Sequence, residues 1–119
     1  MSDIAPAASA LPLRLHRDHL YIEAVVFEAH MPQVRSVALV READDLLILP
    51  IVTADAGGFL VKQVNARGDR AIHAADFFRL NDIDETQNID VEAWPRKSIG
   101  GFIIQNLFAK TQTKFAIRK

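Results

Sequence analysis

The sequence contains no cysteine, and this absence excludes several kinds of chemistry at once. A chain without thiols has no disulfide, no thiolate nucleophile and no cysteine-ligated zinc site. At 119 residues it is long enough to bury a hydrophobic core without such crosslinks. The lack of cysteine fits a reducing compartment, and we predict a cytoplasmic location.

Long apolar runs and a strong charge are also missing. No stretch reaches the ~18 consecutive apolar residues of a transmembrane helix, so we predict no membrane partner. Residues 1–12, MSDIAPAASALP, lack the basic start and apolar core of a signal peptide. Their small residues and prolines predict a flexible N-terminal arm. The formal net charge of -1 gives no general attraction to nucleic acid.

Hydrophobic residues, by contrast, make up 50% of the chain, at the upper end of the range for a globular domain. We expect residues 13–119 to form a single compact β-rich domain. We also expect a second copy of the chain to cover part of its apolar surface, which predicts a homodimer.

The most apolar stretch is Leu46–Val52, which is too short to cross a membrane and has the length of a buried strand. The glycines of Gly57-Gly58 separate it from a second β-prone stretch, Phe59–Val64, and this pattern predicts a hairpin. Together with a strand over Ser36–Glu42, it predicts a three-stranded antiparallel meander. Proline donates no ladder hydrogen bond, so we expect a bulge at Pro50.

The flanking segments predict further short strands and helices. Leu13–Ile22 changes its apolar parity midway, which indicates either two strands around a turn or one strand with a bulge. The other predictions are a helix within 23–31, a turn over 65–70, strands at 71–74 and 89–93, a helix at 76–80, a break at 94–97, a strand or a helix within 99–108, and an edge strand at 113–117. The predicted fold class is α+β, predominantly antiparallel β (a meander or small barrel) with one or two short helices.

The two halves of the chain show a weak internal correspondence. Arg14 and Arg17 precede Arg67 and Arg70 by 53 positions, and other matches have offsets of 50 to 52. Because the offset drifts and apolar patterns match readily by chance, duplication and coincidence both stay open.

The second half also resembles a known family. Val64–Ile83, VNARGDRAIHAADFFRLNDI, followed by IDVEA and GGFII, is similar to the swapped-hairpin module of the AbrB/MraZ type. In that module a strand, a glycine turn with a basic residue, a short strand and a short helix precede a hairpin. The resemblance implies an obligate intertwined dimer that binds DNA through basic loops, with Arg67 and Arg70 as the residues carried over.

Two groups of side chains are candidates for a site. Arg14, Arg17, Arg67 and Arg70 lie in or beside predicted turns, where they either contact phosphate or form a solvated surface. The ligand-like residues His16, Asp18, His19, Glu23 and His30 would need a turn to converge on zinc. Since no HExxH, GxSxG, GxGxxG or P-loop motif is present, we predict no catalytic residue, no metal and no cofactor.

These observations predict a non-catalytic protein-binding or assembly module with an unidentified protein partner. A DNA-binding regulator that uses the four arginines is the alternative. A small metal-dependent enzyme built on His16 and His19 is the third interpretation.

Overall fold

The computed structural model describes residues 10–51, 58–83 and 86–109. Eight strands and two helices occur there, with a single 3-10 turn at Lys97–Ile99. The elements are β1 Leu11–His16, β2 His19–Ile22, α1 Ala24–His30, β3 Ser36–Glu42, β4 Asp45–Ile51, β5 Phe59–Gln63, β6 Arg70–His73, α2 Ala75–Leu80, β7 Asn88–Arg96 and β8 Gly101–Ile104. Strand β1 begins two residues before the predicted domain start at 13. Residues 1–9 of the predicted arm and the predicted strand at 113–117 lie outside the described residues.

The eight strands close into an antiparallel barrel in the order β1-β2-β6-β5-β3-β4-β8-β7. Alternate residues point inward, as the pleat of a strand requires. On β1 the inward residues are Leu11, Leu13 and Leu15, all buried. The predicted class, α+β with predominantly antiparallel strands in a meander or small barrel and one or two short helices, is therefore confirmed, and the observed form is a barrel with two short helices.

The strand order has an internal two-fold symmetry. Exchanging each strand of the first half with its counterpart in the second half (β1 with β5, β2 with β6, β3 with β7 and β4 with β8) reproduces the same ring of neighbours. Each half consists of two strands, a helix and two strands, with one buried phenylalanine in each helix, Phe27 in α1 and Phe78 in α2. Because one chain supplies both halves, the barrel closes without strands from a second copy.

The loops of each half hold the helix of the other half. All pairings are antiparallel, so the turn between β1 and β2 lies at one end of the barrel (the upper end) and the β5–β6 turn lies at the other (the lower end). At the lower end, Asp69 Oδ1 accepts a 2.8 Å hydrogen bond from the amide of Ala24, the first residue of α1. At the upper end, the Ala74 amide before α2 donates to the Asp18 carbonyl at 3.0 Å.

The β1–β2 hairpin settles the parity change in Leu13–Ile22. Arg17 and Asp18 form the turn with φ values of 50° and 64°. Two positive values suit the right-handed twist of a tight hairpin. Of the two alternatives that the sequence allowed, two strands around a turn is therefore the observed one.

The predicted hairpin between Leu46–Val52 and Phe59–Val64 is wrong. Strand β3 lies between β4 and β5, pairing with β4 along its whole length and with β5 through Ser36 and Val37. The predicted bulge at Pro50 is also absent, because the β3–β4 register runs without interruption and pairs Pro50 with Val37. Hydrophobicity identified the strands correctly but carried no information about which of them are neighbours.

In the described strands, each proline lies where the strand is paired on one side and unpaired on the other. Pro12 pairs with β7 beyond the end of the β1–β2 ladder, and Pro50 pairs with β3 beyond the β4–β8 ladder. Pro95 pairs with β8 after the β1–β7 ladder has ended. Since an unpaired side tolerates a missing N–H, β7 continues through Arg96, and the predicted break at 94–97 is wrong. The 99–108 segment forms strand β8 rather than a helix, followed by turns.

Candidate functional site

An open cavity in the described part of the chain forms a groove of about 1280 Å³ along the outside of β1, β2 and β7. It extends from the β5–β6 turn at the lower end to residues 104–107 at the upper end. We call it the outer groove. Its lining residues are Pro12, Leu13, Arg14, Tyr21, Ile22, Glu23, Val64, Asn65, Asp69, Ile89, Asp90, Val91, Glu92, Trp94, Ile104, Gln105, Asn106 and Leu107.

Side chains alternate between the two faces of a strand, and this determines which polar residues face the outer groove. On β7, Ile89, Val91 and Ala93 pack toward the core, so Asp90, Glu92 and Trp94 face outward. The register aligns Tyr21 of β2 and Asp90 of β7 on either side of Arg14. These three residues form one row across the groove, and the facing pair Pro12 and Glu92 lies in the next outward row.

Two aromatic side chains give the outer groove an apolar contact surface. Trp94 is half-buried opposite Ile103 of β8, and Tyr21 is half-buried on β2. Tyr21 stacks on His19 with ring centroids 5.5 Å apart. Aromatic rings that are half-buried and held by neighbours offer contact area at a low entropic cost.

The charge of the outer groove is predominantly negative. Four carboxylates line it, those of Glu23, Asp69, Asp90 and Glu92, against the single guanidinium of Arg14. Arg14 Nε lies 3.0 Å from Asp90 Oδ1, but the two side chains are 55% and 76% exposed. An ion pair this exposed is screened by water and contributes little to stability, so both groups are accessible to a ligand.

Asp69 is different, because its carboxylate already accepts hydrogen bonds from other residues of the chain at the lower end of the groove. Its side chain is 16% exposed and accepts hydrogen bonds from Arg67 Nε at 3.1 Å, Asn65 Nδ2 at 2.9 Å and the Ala24 amide. The hydrogen bond from Arg67, followed by those from Asn65 and Ala24, holds the pKa of Asp69 well below its usual range. The same contact raises the pKa of Arg67.

We therefore predict that the contribution of Asp69 to stability depends on pH. The unfolded carboxylate titrates near pH ~4, and its pKa is lower in the folded chain. The stabilisation is then fully present above pH ~4 and is lost as the pH falls toward the lower folded pKa. Thermal melts should place Asp69→Ala below the parent at pH 7, with the gap closing at acidic pH. The control Asp90→Ala should melt close to the parent, and a gap for Asp69→Ala that is constant with pH would contradict this role.

The structure does not bring the four predicted arginines together. Arg17 is in the turn at the upper end, whereas Arg67 and Arg70 are at the lower end. Arg14 bonds Asp90, and Arg67 bonds Asp69. Arg70 lies over the Phe27 ring, 4.4 Å from its centroid, and donates to Gln63 Oε1 at 2.8 Å. Three of the four side chains thus have partners within the chain.

The histidines considered as metal ligands are also separated. His16 and His19 face each other across the β1–β2 pair, but His30 ends α1 at the other end of the barrel. His19 instead stacks on His73 of β6, with ring centroids 4.3 Å apart. Within residues 10–51, 58–83 and 86–109, no group of three or more histidines and acidic residues is placed to hold a metal ion.

Of the residues that line the outer groove, Arg14 and Glu23 were candidates in the sequence, but Tyr21, Asp90, Glu92 and Trp94 were not. The alternation in Ile89–Ala93 predicted a half-buried strand, and its polar residues are Asp90 and Glu92. That Trp94 and Tyr21 share a groove with them depends on the pairing of β1 with β7, which links residues about 80 positions apart. The local pattern carried no signal for that pairing.

None of the described helices is both long enough and apolar enough to span a membrane. Comparisons with models of protein families, with curated proteins and with solved structures found no match to this chain.

Proposed function

We propose that this chain is a non-catalytic binding module that recognises a protein partner through the outer groove. The observation that carries the proposal is the combination of acidic side chains with the half-buried rings of Trp94 and Tyr21 in one open groove. Such a surface suits an extended segment with lysine or arginine on one face and apolar side chains on the other.

The closed barrel favours recognition by side chains over addition of a strand. In the strand order each described strand has a neighbour on both sides, so the barrel has no terminal strand to extend. The adjacent acidic residues Asp44 and Asp45, where β3 turns into β4, make structural contacts. Asp45 accepts from the Asn106 amide at 2.8 Å, and Asp44 bonds Arg41 at 3.3 Å.

A charge-reversal experiment tests this function. The probe is a fluorescein-labelled decapeptide that alternates lysine with phenylalanine or isoleucine, and the matched peptide carries glutamate in place of lysine. We expect the basic peptide to bind, and Asp90→Lys with Glu92→Lys to weaken it about tenfold. Each exposed charge contributes about 0.2–1 kcal/mol, and reversal replaces attraction with repulsion.

The control reverses two exposed carboxylates on the helices, Glu28→Lys and Asp76→Lys, which changes the net charge equally. Fluorescence anisotropy at low salt measures each affinity. Equal weakening by the control pair would show a response to net charge alone, and equal binding of the acidic peptide would remove the proposed partner class.

The proposal includes a homodimer, supported by apolar side chains on the outside of the barrel. Leu60 of β5 is 60% exposed and Val40 of β3 is 42% exposed. A second copy that covers them would remove this apolar area from water. Sedimentation equilibrium at micromolar concentration should give a dimer, and a monomer alone would eliminate this part of the proposal.

A DNA-binding regulator is the second candidate. Its support is the order of elements in the second half, β5, turn, β6, α2 and then β7–β8, which is the order that the family resemblance implies. Phosphate contacts release counterions, so affinity should fall steeply with added salt. A gel shift in low salt without retardation of any duplex would eliminate this candidate.

A further inference from the structure

A second cavity, of about 550 Å³, opens at the lower end of the barrel between α1 and the β5–β6 pair. We call it the lower pocket. Residues 33–35, before β3, line it together with Phe27, Glu28, Val61 and Arg70. Its volume lies within the range of small-molecule sites, roughly 300–1,000 Å³. Since none of these residues lines the outer groove, the lower pocket is a separate candidate site.

The lower pocket is positively charged, in contrast to the outer groove. The guanidiniums of Arg35 and Arg70 line it against the single carboxylate of Glu28. In the part of the chain that the structure describes, no carboxylate lies within ion-pair distance of either guanidinium. An anion that enters the pocket therefore meets two cations whose charge no ion pair in that part of the chain neutralises.

The Arg70 side chain is held in position by two uncharged neighbours. Its guanidinium lies over the Phe27 ring, 4.4 Å from the centroid, and its Nη1 donates to Gln63 Oε1 at 2.8 Å. Gln63 is its only hydrogen-bond partner among the described residues. Because a guanidinium has five N–H donors, most of its fork stays available to an oxyanion. A side chain that is already ordered also loses little entropy on binding.

Arg35 reaches the same pocket from the other side of β5. Its carbonyl accepts a 2.8 Å hydrogen bond from the Val61 amide, which continues the β3–β5 pairing by one residue. Arg35 has the parity of the buried Val37, and Arg70 has the parity of the buried Ile72. Both arginines thus occupy inward positions at the lower mouth of the barrel, roughly 10 Å apart across the sheet at about 4.8 Å per strand. Since both line one pocket, a single anion between them is within reach of both side chains.

From the unpaired charge, the ordered fork of Arg70 and the convergence of Arg35, we propose that the lower pocket binds a small molecule through a phosphate group. A phosphate monoester carries a charge of about −1.5 to −2 at pH 7 and has three strong acceptor oxygens. Guanidinium forks match those oxygens in bidentate geometry. A carboxylate brings a single charge and therefore matches two arginines less well. The proposal goes beyond the function of the outer groove and does not depend on it, because the two cavities share no residue.

Heteronuclear NMR of the isotope-labelled chain, titrated with inorganic phosphate at constant ionic strength and neutral pH, tests the site. We expect saturable shifts of the Nε–H signals of Arg35 and Arg70 and of the Val61 amide. Arg35→Gln with Arg70→Gln should weaken the affinity at least about tenfold, because it removes charge-assisted hydrogen bonds. The control Arg17→Gln with Lys97→Gln removes the same charge at exposed positions outside the pocket and should bind phosphate like the parent. Equal weakening by the control would show a response to net charge and overturn the site.

Two further variants keep the test decisive if the double glutamine variant does not fold. Arg35→Gln alone changes an exposed side chain, leaves the Arg70–Phe27 contact in place and should still weaken phosphate binding several-fold. Arg35→Lys with Arg70→Lys keeps the charge but loses the planar forks, so it should also bind more weakly. Affinity equal to the parent in both variants would overturn the proposal.

Three other probes define the class of ligand. Methyl phosphate should bind at least as tightly as inorganic phosphate, and acetate at the same ionic strength should bind more weakly. Equal binding of acetate and methyl phosphate would overturn the phosphate class, and the absence of saturable shifts with any probe would overturn the site. A short DNA duplex that shifts the same signals at a lower concentration than methyl phosphate would assign the pocket to the DNA-binding candidate and overturn the small-molecule site.

Discussion

Replacing Phe78 with alanine is expected to lower the free energy of unfolding by about 3–5 kcal/mol, because the ring is fully buried and its removal leaves a cavity. The ring packs at the edge of Phe77, with centroids 5.6 Å apart, and belongs to the hydrophobic core. Since a domain has a total stability of about 5–15 kcal/mol, this one change would remove a large part of it.

Chemical denaturation measures the effect, and Leu80→Ala in the same helix is the control. The Leu80 side chain is 82% exposed, so its truncation should cost less than about 0.5 kcal/mol. Phe27→Ala in α1 should resemble Phe78→Ala, because the two rings are buried at opposite ends of a barrel with two-fold topology. Equal midpoints for Phe78→Ala and Leu80→Ala would contradict the placement of α2.

Gly101→Ala is expected to destabilise the barrel by about 1–3 kcal/mol through overpacking. A Cβ at this position would lie 2.3 Å from the Ile48 carbonyl oxygen, a backbone atom that cannot turn away. Strands β4 and β8 would have to separate, and their ladder is one of the two that join equivalent strands of the two halves.

Hydrogen exchange shows where this damage occurs. Amides of Leu46–Ile48 on β4 should exchange faster in Gly101→Ala than in the parent. The neighbouring substitution Gly100→Ala is the comparison, since a Cβ there has nothing within 4 Å, and the cost is confined to the left-handed φ of 63°. Exchange on β4 that is unchanged in Gly101→Ala would argue against the close approach of these strands.

Local patterns in the sequence predicted local structure well. The helix within 23–31 and the helix at 76–80 follow from short-range apolar spacing, turn residues and breakers, and the parity change in Leu13–Ile22 gave two alternatives, one of which is the observed hairpin. These features depend on neighbours within a few positions, so the information lies in the segment itself.

The errors concern pairing between distant segments. The pattern around Gly57-Gly58 predicted that β4 and β5 pair with each other. In the structure β3 lies between them and pairs with both. Pro50 predicts a bulge and Pro95 a break, but each proline lies where only one side of its strand is paired, and this depends on the pairing of distant segments. The site was missed for the same reason, since the row of Tyr21, Arg14 and Asp90 exists only once β1 has paired with both β2 and β7.

The pairing of β1 with β7 within one chain is the claim on which both the barrel and the outer groove depend. Isotope-filtered NMR on a 1:1 mixture of labelled and unlabelled protein tests it directly. The structure predicts cross-strand NOEs between Leu13 and Val91 that arise within a single chain. NOEs observed only between labelled and unlabelled chains would show that the halves are exchanged between copies, and their complete absence would mean that the groove does not form.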